Sequence, residues 1–244
     1  MKTTVAFVIL VLWSAASFAA DVDYSKLSNE KLVDALVSVD CEAPGLDGSG
    51  VYDAFIAEDS RPVFRGGVLG VPPPCIPPQM RELVRHGANA LPVLLRHIDD
   101  ARPTKLIVGG AFGDGIPYMF EEYGDSYDPR LPAEHIPDEP RTDESEKYTF
   151  AGKYVVKVGD VCFALIGQIV NRNLIAVRYQ PTAGLIVNSP IERPSLAANV
   201  RADWSGVDRA GLESSLLLDL QTAKASYKIQ PALTRLRFYF PGRL

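Results

Sequence analysis

The sequence predicts a mainly α-helical fold with long irregular loops and one or two short β-hairpins. Apolar residues recur at helical spacing in several segments, from Leu32, Leu36 and Val39 to Leu212, Leu216 and Leu220. The stretch 40–78 is rich in Gly and Pro, which is typical of irregular structure. A few short segments alternate polar and apolar residues, which is the pattern of strands.

The first residues have the composition of a secretory signal peptide. Lys2 precedes an apolar run, Val5–Trp13, and small residues follow from Ser14 to Ala20. The run is too short to span a membrane, which takes about 20 residues. We therefore predict a signal peptide over 1–19 and a single, mostly helical exported domain over 20–244. That domain has no membrane anchor after cleavage and is periplasmic or secreted.

The charge balance narrows the class of partner. The chain carries 25 Lys and Arg residues against 30 Asp and Glu residues, a net charge of −5 at pH 7. Nucleic-acid binding depends on clustered cations, so this balance disfavours a nucleic-acid partner. We expect the partner to be another protein of the cell envelope. No cofactor motif is present, and we predict no cofactor.

The chain has three cysteines, Cys41, Cys75 and Cys162. The predicted export places them in a compartment where disulfides persist. Cys41 and Cys75 lie in Pro- and Gly-rich surroundings, whereas Cys162 lies in an apolar run. The sequence therefore predicts a Cys41–Cys75 disulfide and a buried Cys162 that packs as a small hydrophobic residue.

The first half of the chain contains three predicted helices. Ser28 is a candidate N-cap for a helix over 29–39, with Leu27 and Leu32 placed as a hydrophobic staple. A second helix is predicted over 79–87, with Gly87 as its stop. A third follows over 90–98, with Asn89 as a candidate cap and Pro92 in the first turn. The short connection predicts that the last two are antiparallel neighbours.

The segment 83–99, with Gly87, Ala90, Pro92, Leu94, Leu95 and Ile98, resembles a HEAT-type helical repeat. The segment 158–172, with Asp160 as a candidate N-cap, resembles the second helix of such a repeat. The resemblance covers about residues 79–100 and 158–172, and it implies HEAT-like antiparallel helical hairpins. The stretch 158–204 also resembles uncharacterised exported bacterial proteins, a likeness that implies no activity.

The rest of the chain mixes loop, strand and helix signals. An irregular acidic loop is predicted over about 109–146. Candidate hairpins combine 147–150 with 153–157, and 174–179 with 185–187. Apolar residues recur at helical spacing after Pro194. They do so again after Asp208, which is a candidate helix cap. The end, 233–240, fits either a helix or a strand.

Residue types that bind partners occur in two places. Asn171 and Arg172 follow an apolar segment, and Arg178 and Tyr179 lie in a predicted strand. Arg and Tyr are frequent at binding hot spots, so these four residues are candidate binding residues. An Arg–Tyr pair that braces a loop against the core would have the same sequence.

No catalytic or metal-binding motif is present. The histidines lack the ligand spacing of a zinc site, and His86 and His97 fit helix C-termini, where the dipole favours them. We therefore expect a non-enzymatic protein-interaction or scaffold module. The alternatives are an envelope hydrolase acting on glycan or peptide, with Asp99, Asp114 and Glu121 as nominal acids, and a calcium- or small-ligand-binding module closed by the loop 109–115.

Overall fold

The computed structural model describes residues 22–41, 43, 46, 55–58, 75–109, 117–119, 153–172, 174–179, 185–222 and 226–243. These residues form a mainly helical fold. The helices are α1 Asn29–Asp34, α2 Pro78–Arg85, α3 Leu91–Arg96, α4 Val158–Val170, α5 Pro194–Trp204, α6 Arg209–Thr222 and α7 Ser226–Tyr239. The strands are β1 Pro103–Gly109, β2 Pro117–Met119, β3 Lys153–Lys157, β4 Val177–Tyr179 and β5 Leu185–Val187.

Helix α4 is the centre of the fold. All of its residues except Gln168 are buried, and its sequence is apolar on every face. A helix that is hydrophobic all round is stable only when other elements cover it. Helices α2, α3 and α6, strand β3 and the 3-10 turn Ala35–Ser38 all pack against it.

The ends of α4 are closed by specific contacts. The backbone N–H groups of Val158 and Gly159 donate to the carbonyls of Arg102 and Asp100. At the other end Asn171 adopts the left-handed conformation, with φ of 59°, as the C-cap. Asp160 is not the N-cap that the sequence suggested. It lies three residues into the helix, and its carboxylate accepts the backbone N–H of Lys157, which is the N-cap.

The predicted N-terminal helices are present. Ser28 caps α1 by accepting the N–H of Lys31, and the helix continues as the 3-10 turn Ala35–Ser38. Pro92 lies in the first turn of α3 as expected, but the N-cap is Ala90, and Asn89 ends a short 3-10 turn. Helices α2 and α3 each pack on α4. HEAT-like hairpins are not confirmed by this arrangement.

The strands form two small sheets. In the first, β1 pairs antiparallel with β3, with Ile107 opposite Val155. The sequence reasoning did not identify β1, and the expected partner of β3, 147–150, lies outside the described residues. In the second, β4 pairs antiparallel with β5 as expected, and β2 adds in parallel to β5. Strand β2 therefore interrupts the region 109–146, which was predicted to be irregular.

The C-terminal part is helical. Asp208 caps α6, because its Oδ1 accepts the N–H of Gly211 at 2.8 Å. The ambiguous segment 233–240 belongs to α7 up to Tyr239. Helix α7 packs against α6 and is tied to α4, since the Arg235 Nε donates to the carbonyl oxygen of Gln168 at 2.6 Å.

The predicted disulfide is confirmed. Cys41 and Cys75 are bonded, with their Cα atoms 6.2 Å apart, and Cys162 is fully buried in α4. Burial raises the pKa of the Cys162 thiol, as expected for a packing residue. A disulfide indicates that the chain folds in an oxidising compartment. Among the described residues, no helix has the length and apolar character needed to cross a membrane.

We predict that removal of the disulfide destabilises the fold. The bond closes a loop with a sequence separation of 34 residues, which corresponds to about 3–4 kcal/mol in the chain-entropy model. The double variant Cys41→Ser/Cys75→Ser should lose this amount in urea unfolding. A reductant should lower the stability of the wild type and leave the double variant unchanged. Equal sensitivity of both proteins to the reductant would contradict the prediction.

We also predict opposite effects of alanine at two helical glycines. A Cβ at Gly159 would overlap the carbonyl oxygen of Ile98 and the side chain of Ile191, so Gly159→Ala should cost about 1–3 kcal/mol. A Cβ at Gly211 in α6 would meet only ordinary contacts, so Gly211→Ala should stabilise by up to about 1 kcal/mol. Chemical denaturation measures the free energy of unfolding of both variants. If Gly159→Ala is as stable as the wild type, α4 is not packed tightly against Ile98 and Ile191.

Candidate functional site

Two of the predicted binding residues take part in a largely buried polar cluster. Arg172 Nη1 and Asn171 Nδ2 each donate to Asp219 Oδ2, both at 2.9 Å. Arg172 Nη1 also donates to the carbonyls of Val170 and Asn171, and its guanidinium lies 5.3 Å from the ring of Trp204. These contacts brace the C-terminus of α4 against α5 and α6.

The other predicted residues are only partly located. Arg178 and Tyr179 lie in β4, opposite Ile186 and Leu185 of β5, and their side chains are outside the described part of the structure. Of the nominal acids, Asp114 and Glu121 are outside the described residues. Asp99 lies at the surface, where Arg201 Nη2 is 2.7 Å from its Oδ1. The hydrogen bond from Arg201 lowers the pKa of Asp99.

His97 belongs to a surface network of charges. It is the C-cap of α3, and its ring nitrogens lie 3.0 Å from Asp100 Oδ2 and 3.2 Å from Glu30 Oε2. Burial disfavours ionisation of Asp100, but hydrogen bonds from Arg102 and His97 lower its pKa to about 2. Arg102 also pairs with Asp34, so the network joins α3 and β1 to α1. No cluster of His, Cys, Asp or Glu suited to a metal ion occurs among the described residues.

A cleft of about 290 Å³ lies between the C-terminus of α2 and the helices α6 and α7. It is lined by the turn Gly87–Asn89 and by cationic and apolar side chains. The cationic or titratable lining residues are Arg85, His86 and Arg209, and the apolar ones are Leu212, Phe238, Tyr239 and Phe240. This volume is just below the usual range for ligand sites, about 300–1,000 Å³.

The turn that lines the cleft requires glycine. Gly87 has φ of +55°, and a Cβ there would lie 2.8 Å from Cε1 of Tyr239. The hydroxyl of Tyr239 donates to the carbonyl of Val84 at 2.5 Å, which fixes α7 against α2. Burial raises the pKa of Tyr239, so this phenol is a neutral donor. The absence of a side chain at Gly87 thus permits the close approach of this turn to Tyr239.

His86 has a defined tautomer in its neutral form. Asn29 Nδ2 donates to the carbonyl of Asn89 at 2.8 Å, which orients the amide so that Asn29 Oδ1 is 2.6 Å from His86 Nδ1. Because an amide oxygen only accepts, His86 Nδ1 carries the proton. In neutral His86, which lines the cleft, Nε2 is then the acceptor nitrogen.

Arg209 is exposed at the start of α6. Its Nη2 donates to the carbonyl of Tyr239 at 2.5 Å, and its guanidinium lies 4.7 Å from the ring centroid of Phe240. Phe238, which is half-buried, packs edge-to-face with Tyr239 at 5.3 Å between ring centroids. The cleft therefore presents a positioned guanidinium beside an aromatic wall.

A buried carboxyl, Asp160, is the second unusual group. Its Oδ2 accepts the Tyr154 hydroxyl at 2.8 Å and the Lys157 N–H at 2.9 Å, and the Ser189 hydroxyl is a further partner. Burial raises the pKa of Asp160, although the hydrogen bonds from Ser189, Lys157 and Tyr154 oppose this effect. The cluster joins β3, α4 and the end of β5, so its first role is structural.

Neither the cleft nor the Asp160 cluster was predicted from the sequence. The cleft combines residues near positions 86, 209 and 239, and no local pattern connects them. The position of Gly87 at a predicted helix stop was the only local signal. Comparison of this chain with protein families, curated proteins and solved structures finds no match.

We predict that Asp160→Asn flattens the pH dependence of stability. In the wild type the pKa of Asp160 in the folded state is above the ordinary value of 3.8. The protonated carboxyl therefore stabilises the fold at low pH, and this contribution to the free energy of unfolding is lost as pH rises through the folded-state pKa. Asparagine keeps an acceptor for Lys157 and Tyr154 but does not titrate.

Urea unfolding across the acid-to-neutral range measures this effect. The matched variant Asp160→Ala removes the acceptors as well and should cost about 1–3 kcal/mol at every pH, because buried donors lose their partner. The same slope of unfolding free energy against pH in wild type and Asp160→Asn would show that folding does not raise the pKa of Asp160.

Proposed function

We propose that this chain is a non-enzymatic exported protein-interaction module that binds a partner of the cell envelope through the cleft between α2, α6 and α7. The observation that carries this proposal is that exposed Arg209, with its guanidinium 4.7 Å from the ring centroid of Phe240, lines the same cleft as half-buried Phe238. Arg and aromatic side chains that are held in place are the residue types of binding hot spots.

Export is supported by the Cys41–Cys75 disulfide, since such bonds persist in oxidising compartments. In this proposal residues 1–19 are the signal peptide, cleaved after Ala19, and the protein acts in the periplasm or outside the cell. The HEAT-like pair α2–α3 serves as the scaffold that holds the turn Gly87–Asn89 at the cleft.

The contacts of Asn171 and Arg172 favour the bracing role for these two residues over partner recognition. Their shared acceptor, Asp219, and the ring of Trp204 occupy the side chains within the fold. The interaction surface proposed here is therefore the cleft. Arg178 and Tyr179 remain candidates by sequence.

We predict that a photo-crosslinking amino acid at Asn89 labels a partner in living cells. Asn89 is exposed and lines the cleft, whereas Ile107 is exposed on β1 and does not line it. A discrete adduct should form from position 89 and not from position 107, and Phe238→Ala should reduce it severalfold. Identical labelling from both positions, or adducts that Phe238→Ala leaves unchanged, would rule out the cleft as the interaction surface.

A further inference from the structure

Arg209 is the exposed cation of the cleft lining, in a chain whose net charge is −5. The other lining arginine, Arg85, is paired with Glu82, whose Oε1 lies 2.9 Å from Arg85 Nη1, and the described lining residues themselves include no carboxylate. The nearest acidic residue in sequence to Arg209 is Asp208, and its Oδ1 accepts the N–H of Gly211 as the cap of α6. A concave site lined by one sign of charge concentrates ligands of the other sign.

Two contacts hold the guanidinium of Arg209 and leave donors for an anion. The group lies 4.7 Å from the ring centroid of Phe240, and its hydrogen bond to the carbonyl of Tyr239 uses Nη2. A guanidinium has five N–H donors in a planar fork, so donors remain for a ligand. This fork matches the two oxygens of a carboxylate.

The residues next to Arg209 allow the cleft to recognise more than the charge of a ligand. Phe238 and Leu212 give the cleft an apolar wall beside Arg209. His86 also lines the cleft, and because its Nδ1 donates to Asn29, the Nε2 of neutral His86 is the nitrogen that can accept a hydrogen bond from a ligand N–H. A carboxylate, an apolar side chain and an amide N–H occur together within one or two residues of a peptide.

We propose that the cleft binds a peptide carboxylate that lies next to an apolar side chain, with Arg209 binding the carboxylate and Phe238 contacting the apolar group. This inference rests on the proposed function and specifies the ligand of the same site. The carboxylate belongs either to the C-terminus of a partner chain or to an acidic side chain within it. Both sources have the same chemistry, and the test separates them.

The test uses the purified, oxidised protein and four short synthetic peptides that share one Phe. The first ends in Phe with a free carboxylate, and the second is its C-terminal amide. The third is an amide with an internal Asp-Phe pair, and the fourth has Asn-Phe in place of that pair. Backbone amide chemical shifts, followed by NMR during titration, report both the affinity and the position of binding.

We expect at least one acidic peptide to shift the amides of 86–89 and to bind about tenfold more tightly than its neutral counterpart. This is the effect of one hydrogen bond between charged groups. Preference for the free C-terminus assigns the ligand to a chain end, and preference for Asp-Phe assigns it to an internal acidic residue. Binding of acidic and neutral peptides with equal affinity overturns the inference.

Variants test the role of each charge. Arg209→Gln should abolish the preference for the acidic peptide, and Arg243→Gln should retain it, because Arg243 pairs with Glu213 outside the cleft lining. Since Arg209 also contacts Phe240, a second variant, Asn89→Asp, adds a carboxylate at an exposed lining position without removing a core contact. It should weaken only the acidic peptide, and equal weakening of both peptides would contradict the proposal.

The proposed interaction surface and the proposed peptide ligand are contradicted by different results. If crosslinking from position 89 captures a partner but no peptide shows a carboxylate preference, the ligand class is wrong and the interaction surface stands. If no peptide perturbs 86–89 and crosslinking from position 89 yields no specific adduct, both are wrong.

Discussion

The fold depends on the complete burial of α4. Apolar side chains surround this helix on every face, so it is stable only while α2, α3, α6 and β3 cover it. Its first N–H groups bond to the backbone carbonyls of Asp100 and Arg102, so the start of the helix is fixed to the segment between α3 and β1. Glycine at 159 permits that approach because no Cβ stands in the way.

The cleft is a consequence of how the covering helices meet. Helix α2 packs on α4, and α7 is held to α4 by the bond from Arg235 to the carbonyl of Gln168. The two covering helices then contact each other where the Tyr239 hydroxyl reaches the carbonyl of Val84. The cleft lies beside this contact, and its shape is therefore set by core packing rather than by a free loop.

Local features of the fold were predictable from the sequence, and features that depend on distant contacts were not. Ser28 and Asp208 cap helices because a short polar side chain precedes a helical apolar pattern, and the Pro- and Gly-rich setting of Cys41 and Cys75 indicated their disulfide. Strand β1 was missed because its partner β3 lies beyond a long connection. The cleft was missed for the same reason, since its members come from separate elements. The Asp160 cluster is local in sequence, but it was missed because Tyr154 lies in a strand and Asp160 in the following helix, and no motif marks their contact.

Arginine shows why residue type alone is a poor guide to a binding surface in this chain. Arg172 and Arg235 are largely buried and donate to backbone carbonyls at 3.1 Å or less, and Arg201 Nε donates to the carbonyl of Leu95 at 3.0 Å. Arginine serves here to satisfy carbonyls at the ends of helices, which a sequence cannot distinguish from recognition. Arg209 makes one such bond as well, to Tyr239, but it is exposed at a cleft. Because its guanidinium is held by a backbone hydrogen bond and is also exposed, Arg209 can bind a ligand. The arginines that brace the fold differ in this respect, since their guanidinium groups contact other parts of the fold.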